Sequence, residues 1–229
     1  SNGTAVTAGL FKSLPFDTVR DFAPVSTLGF FDIAVVAHPD APFKTFAELL
    51  AYARAHPGKL NIGSINIGST QHLAAELFKS TAGIEAQIVP YNGSPALIGA
   101  IRGQQVDVAV EILAPVLTQI QGGALRALAV TSKERNPSLP NVPTMIEAGI
   151  ADYEVVGWLA VAGPKNLPAE VVSKISNALE LAKRDPAFRK AVEDGGYTID
   201  QASPKELHAR ILSEYAMWER VIIKGNLQQ

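Results

Sequence analysis

GSINIGSTQHL, residues 63–73, runs from a glycine-rich turn into the start of an amphipathic helix. The first-turn N–H groups of a helix have no acceptor within it, and the macrodipole places about +0.5 charge at that end. Gly63 and Gly68 let backbone approach a guest closely, and Ser69 is a natural N-cap. Behind them Leu73, Leu77 and Phe78 share one helical face. The stretch therefore predicts a strand–turn–helix unit able to hold a small anion without lysine or arginine. Two other readings of these residues stand beside it. Residues 63–70 fit the phosphate-binding pattern G-x-x-x-x-G-K-[ST] except at Ser69, where the lysine that reaches the terminal phosphates is absent. The same letters also describe a plain strand-to-helix turn with no ligand.

Outward from this unit, apolar runs alternate with helical patterns. Strands are expected at Ile33–Ala37, Leu60–Gly63, Ala86–Val89, Val106–Glu111, Leu125–Thr131 and Val155–Ala162. Thr45 and Glu48 form a capping box ahead of Leu49, Leu50 and Ala53, and His56-Pro57-Gly58 stops that helix. Ser94-Pro95 opens a helix carrying Leu97, Ile98 and Ile101, which Gly103 closes. Strand, helix, strand in this order predicts an α/β fold with a parallel sheet and helices on its faces. Further on, Pro168 opens a helix through Val171, Ile175, Leu179 and Ala182, and Asp185-Pro186 opens a shorter one ended by Gly195-Gly196. A short strand near Tyr197 precedes a second capping box, Ser203 with Glu206. The last helix then carries Leu207, Ile211, Tyr215, Trp218 and Ile222 as its buried stripe. The stretch from Ser132 to Val142, with Pro137, Pro140 and then Pro143, reads as a connector or hinge between compact segments.

Composition excludes several classes of function. With 229 residues, 47% hydrophobic and 18% charged, the chain can bury a sizeable core in one large or two small domains. Its net charge is −2, and its 20 basic residues are scattered rather than gathered in a stripe, so no nucleic-acid partner is expected. No apolar run approaches the roughly 18 residues that span a bilayer. The absence of cysteine removes disulfides, zinc-thiolate sites and thiol catalysis. His38, His56, His72 and His208 lack metal-ligand spacing, so neither a metal nor a cofactor is expected. The opening SNGTAV shows no basic n-region and no apolar h-region; an export signal has been removed or was never present.

Ligands of open α/β sheets bind at the C-terminal ends of parallel strands, which points to Ser64, to Tyr91 and Asn92, and to Glu111 at the end of VDVAVE. Tyr91 offers an amphipathic wall with a hydroxyl tip, Asn92 can donate and accept, and each serves equally as a turn residue. Glu111 would repel an anion, so it either points away or faces an ammonium group on a zwitterionic ligand. Ser69 and His72, three apart on a helix, could touch as the start of a hydrolase site. A serine nucleophile would still need a carboxylate and an oxyanion hole, and no G-x-S-x-G elbow is present. His72 otherwise packs at the helix start or donates to the site. Asp107 and Glu111 do not form the carboxylate pair of a glycosidase.

GSINIGSTQHLAAELFKSTAG, VPYNGSPALIGAIRGQQVDVAVE, LRALAVTSKERNPSLPNVPTMIEAG and GWLAVAGP together resemble, in sequence and in order, the solute-binding proteins of tripartite tricarboxylate transporters. The resemblance implies a two-lobed type II periplasmic binding protein fold, with residues 1–37 and 132–229 in the first lobe and 38–131 in the second. It implies an extracytoplasmic receptor, not an enzyme, that closes on a small carboxylated solute and delivers it to a membrane permease. In that family the ligand carboxylate is held largely by backbone N–H groups and small hydroxyls. The matching loop carries Ser64, Asn66, Gly68, Ser69, Thr70 and His72, and Trp158 lies near the cleft. Asn66, Ile67 and Gln71 stand where the family usually has more glycine, and Glu111 where it often has another polar residue. Family members also carry two strand–helix units ahead of the segment matching SNGTAVTAGLFKSLPFD. The chain therefore reads as lacking the first part of its first lobe. Asn2 and Gly3 would follow the third strand and face the ligand, and an uncovered sheet edge would invite self-association. A ligand-sensing domain of a regulator shares this architecture, but no DNA-binding helix-turn-helix is visible beside it.

Overall fold

Runs of valine, isoleucine and alanine flanked by turn residues become the centre of an α/β fold, described by a computed structural model for residues 10, 15–17, 20–151, 153–194, 196–199 and 204–225. Within the helix from residue 204, the side chains of residues 204, 207, 208, 210 and 224 are outside that description. The chain divides into two compact units: a central unit, Asp32–Val156, and a flanking unit built from Ser1–Phe31 and Gly157–Gln229.

In the central unit the sheet order is β3-β2-β4-β1-β5. Strand β2 (Leu60–Ile65) pairs in parallel with β3 (Ala86–Tyr91), from Leu60↔Ala86 to Ile65↔Tyr91. It also pairs in parallel with β4 (Val108–Ile112), through Ile62↔Val108 and Gly63↔Ala109. The β2–β3 pair is the expected strand–helix–strand unit. Strand β1 (Phe22–Ala37) makes the sheet mixed, since it runs antiparallel to both β4 and β5 (Arg126–Val130). A helical crossover makes the strands it joins parallel, and β1 is not joined to β4 or β5 by one. Ile33 to Ala37 are all buried, as a strand covered on both faces requires.

Helix α1 (Phe46–Ala55) starts at Thr45, whose Oγ1 accepts from Glu48 N at 3.2 Å. Glu48 returns its carboxyl to Lys44 N at 2.6 Å, one residue earlier than a capping box would place it. Helix α2 (Thr70–Ala82) ends at Gly83 in the left-handed conformation, φ 61°. Helix α3 (Ser94–Arg102) has Pro95 in its first turn and Gly103 at its end. Helix α4 (Leu113–Gln121) follows β4 directly, and the sequence reading contained no helix there. Its Leu113 and Val116 join Leu97, Ile101, Val106 and Ala109 in the core.

Residues 132–156 gather with the central unit. Thr144 bridges Val130, Met145 N donates to Val130 O at 2.9 Å, and Val155 N donates to Thr131 O at 3.0 Å. Asn136 Nδ2 donates to Asp32 Oδ2 at 2.6 Å, and Arg135 pairs with Glu147 at 2.8 Å. Residues 143–145, just past the proline-rich stretch, thus pair with Val130 at the end of β5. Tyr153, fully buried, donates its hydroxyl to Ala74 O in α2 at 2.7 Å.

In the flanking unit, β6 (Val156–Pro164) and β7 (Thr198–Ile199) pair with β1. Strand β7 is antiparallel through Gly29↔Ile199, where a Cβ at Gly29 would lie 2.6 Å from Thr198 O. Helix α5 (Ala169–Arg184) follows Pro168, and α6 (Pro186–Asp194) is capped by Asp185, whose Oδ1 accepts from Phe188 N at 2.8 Å. Helix α7 (Pro204–Lys224) buries Trp218, Val221 and Ile222, while Ile211 and Tyr215 are half-buried. The expected cap Ser203 and the Leu207 side chain lie outside the description. Among the described residues no helix is long and apolar enough to cross a membrane.

Candidate functional site

The C-terminal ends of β2, β3 and β4 lie side by side, because Ile65 pairs with Tyr91 and Gly63 with Ala109, two residues short of Glu111. This edge is where a parallel sheet offers free loops and helix starts to a ligand. Beyond Ile65 the chain turns through Asn66–Ser69. Gly68 takes φ +83°, a conformation that favours glycine, and Ser69 N donates to Asn66 O at 3.0 Å.

Ser69 then caps α2. Its backbone is extended (φ −69°, ψ 160°), its Oγ accepts from His72 N at 3.1 Å and donates to Ile65 O at 3.4 Å, and its carbonyl accepts from Leu73 N at 3.0 Å. Of the first-turn N–H groups, those of Thr70 and Gln71 have no acceptor among the described residues. Two donors at the positive end of a helix of 13 residues can hold one carboxylate or a comparable anion.

Around this pair the predicted residues separate by burial. Ser64 is fully buried and spends its hydroxyl on Ile65 O at 3.2 Å. Asn66 is exposed and Thr70 buried. Tyr91 is half-buried, packed against the apolar cluster, and accepts from Gly93 N at 3.0 Å; Asn92 is exposed at the tip of that turn.

His72 is buried and its Nδ1 has no partner among the described residues. Burial pushes its pKa below the ordinary 6.5; Glu76 nearby pulls it up and Lys79 pulls it down. Among the described residues no hydrogen bond joins the Ser69 hydroxyl to the His72 ring, so the pair has no proton relay.

Glu111 is fully buried at the end of β4. Its Oε1 accepts from Gln71 Nε2 at 2.8 Å and from Ile112 N at 2.7 Å, whereas Oε2 is buried with no partner among the described residues. Gln71 is the residue that sequence reasoning treated only as a departure from a pattern. A polar side chain in the first turn of a helix beside a strand-end carboxyl was the available signal. Trp158 belongs to the flanking unit, on β6, buried, with its indole N–H donated to Glu214 Oε1 at 2.7 Å. Asn2 lies outside the described residues.

A UPF0065 protein from the tcbD-tcbE intergenic region of a Pseudomonas species is 32% identical over 228 residues, which cover 99% of this chain and 68% of that protein. A second UPF0065 protein, from Bordetella pertussis, is 32% identical over 86% of this chain and 60% of its own length, so the chain spans about two thirds of these relatives.

Among solved structures, Rpa4515 of R. palustris, solved with adipate, superimposes with a TM-score of 0.87 at 28% identity, covering 96% of this chain and 74% of that one. MatC of Rhodopseudomonas palustris, with bound malate, gives 0.83 at 26% identity over 96% of this chain and 76% of its own. The periplasmic binding protein BugD gives 0.87 at 27% identity over 99% and 77%. The architecture is that of these periplasmic binding proteins. The model of the tripartite tricarboxylate transporter family receptor matches residues 1–227, and the chain belongs to that receptor family.

Proposed function

We propose that this chain binds a small carboxylated solute at the C-terminal edge of β2, β3 and β4, as an extracytoplasmic receptor that hands its solute to a membrane permease. The observation that carries the proposal is the pair of N–H groups of Thr70 and Gln71 at the positive end of α2, unpartnered among the described residues. In this reading the two amides take the carboxylate. Ser64, Asn66, Gly68 and Ser69 shape the turn that presents them, and Thr70, His72, Tyr91, Asn92 and Glu111 line the approach. Charge-assisted bonds from backbone donors are roughly twice as strong as neutral ones, which gives affinity without a cationic side chain. Neighbours of the same fold that were solved with adipate and malate support a carboxylate as the guest. Binding without turnover agrees with a family of receptors.

A calorimetric titration with malate, adipate and succinate tests this. Gly68→Val forces a branched residue to φ +83°, and Ser69→Pro deletes both the cap hydroxyl and the N–H bonded to Asn66. Each is expected to weaken carboxylate binding at least tenfold while circular dichroism shows a folded chain. Unchanged affinity in both folded variants places the site elsewhere.

A further inference from the structure

We infer that Asn92-Gly93 is a site of self-modification, where the Asn92 amide is lost to water and a carboxylate is left at the end of β3. The consequence for binding rests on the carboxylate reading above. Asn92 is exposed in the turn between β3 and α3, and its side chain has no hydrogen-bond partner among the described residues. Gly93 follows at φ +89°, and a Cβ built there would meet nothing nearer than Pro95 Cδ at 3.8 Å. Its N–H is therefore uncrowded, and glycine lets the backbone swing that nitrogen toward the Asn92 side chain. The bond it gives to Tyr91 O at 3.0 Å closes only a three-residue turn, and opens for the reaction. Other asparagines are worse placed. Asn61 and Asn136 hold side-chain hydrogen bonds, Asn66 and Asn141 precede β-branched residues, and Asn177 lies inside α5.

In the first step Gly93 N gives its proton to hydroxide and bonds to Asn92 Cγ, while the Cγ–Nδ2 bond breaks and the nitrogen leaves as ammonia, taking up a proton from water. Water then opens the cyclic imide at either carbonyl, giving aspartate or isoaspartate. Nothing is oxidised or reduced, and water is the one co-reactant. Strand register ties the change to the candidate site. Tyr91 pairs with Ile65, so positions 92 and 66 follow on neighbouring strands about 4.8 Å apart, and Asn66 O accepts from Ser69 N at 3.0 Å. A negative charge at 92 thus lies within one Debye length, about 8 Å, of the turn that presents the Thr70 and Gln71 amides, and it repels a carboxylate guest.

The test ages the folded full chain at mildly alkaline pH and follows it by peptide mass mapping and by titration with malate, adipate and succinate. Asn92 is expected to gain one mass unit, amide to acid, sooner than any other asparagine among the described residues. Carboxylate affinity of the fully converted chain is expected to fall at least fivefold. Asn92→Gln, whose longer side chain closes the ring far more slowly, should keep its own starting affinity over the same interval, although it too carries Asn2-Gly3. Asn92→Asp should bind at least fivefold more weakly than the fresh parent from the outset. The inference is overturned if Asn92 keeps its amide in the folded chain over an interval that converts it in the urea-unfolded chain, or if conversion leaves affinity unchanged. Either result leaves the carboxylate reading intact. A fresh chain that binds none of the three acids removes that reading, and the mass map then decides the modification by itself.

Discussion

Helices α2 and α5 are both amphipathic in sequence, yet they meet opposite surroundings. Of its 13 residues α2 buries eight, among them the polar Thr70, Gln71, His72 and Glu76, whereas α5, with 16, buries only Lys183, whose ammonium donates to Glu180 at 2.7 Å. Apolar periodicity states that a helix forms and which stripe faces inward. It does not state how deep the helix sits. Depth is marked by polar groups taken out of water, because each needs a partner or leaves an unmatched atom. In α2 the partners are specific: Glu111 for Gln71, Lys79 for Glu76, and none for His72 Nδ1 among the described residues. The helix that carries the proposed chemistry is the one that buries its polar first turn.

The contrast breaks most clearly by truncation. Phe78 is fully buried in α2, its ring 5.5 Å from that of Phe46, and Phe78→Ala is expected to cost about 3–5 kcal/mol in urea unfolding. A loss below about 1 kcal/mol would show α2 to be no more embedded than α5. Next in size is the cap: Ser69→Ala removes the acceptor for His72 N and should cost about 1 kcal/mol, read from the same denaturation midpoint.

A pH experiment sharpens the comparison further. The unfolded His72 binds its proton with a pKa near 6.5, and in the folded chain burial lowers that value. Between the two values the unfolded state holds more protons, so the stabilising difference is present above about pH 6.5 and is lost as pH falls through the lowered folded value. His72→Leu should flatten that part of the stability–pH curve relative to the parent. An unchanged slope would mean that His72 is hydrated. The smallest effect belongs to α5: Leu181, 69% exposed, should tolerate alanine within about 0.5 kcal/mol.

Local chemistry made much of the fold legible. Thr45, Ser69, the Ser94-Pro95 start and the Asp185-Pro186 start each mark a helix by donors, acceptors or fixed φ within four residues. Features without local punctuation were not legible. The N-cap of helix α4 is Ile112, which offers no capping side chain, and Pro115 in its first turn resembles a break. Strand β1 runs back from Ile33 to Phe22 across Pro24 and Gly29, two residues that ordinarily end a strand reading.

Its antiparallel direction depends on pairings with residues 71 to 96 positions away, which no window of sequence contains. At the candidate site, Ser69 and the turn before it were readable as a cap. The bond from Gln71 to Glu111 spans 40 residues and follows from β4 lying beside β2 under the start of α2.

The hydroxyl that Tyr153 lends to Ala74 has an optical consequence. Burial raises that phenol far above its ordinary 10, so the folded chain resists losing this proton. In an alkaline ultraviolet titration of the five tyrosines, Tyr153 should stay dark, adding its phenolate absorbance only when the central unit opens. The late rise would then time that opening by colour alone, with no dye or label attached.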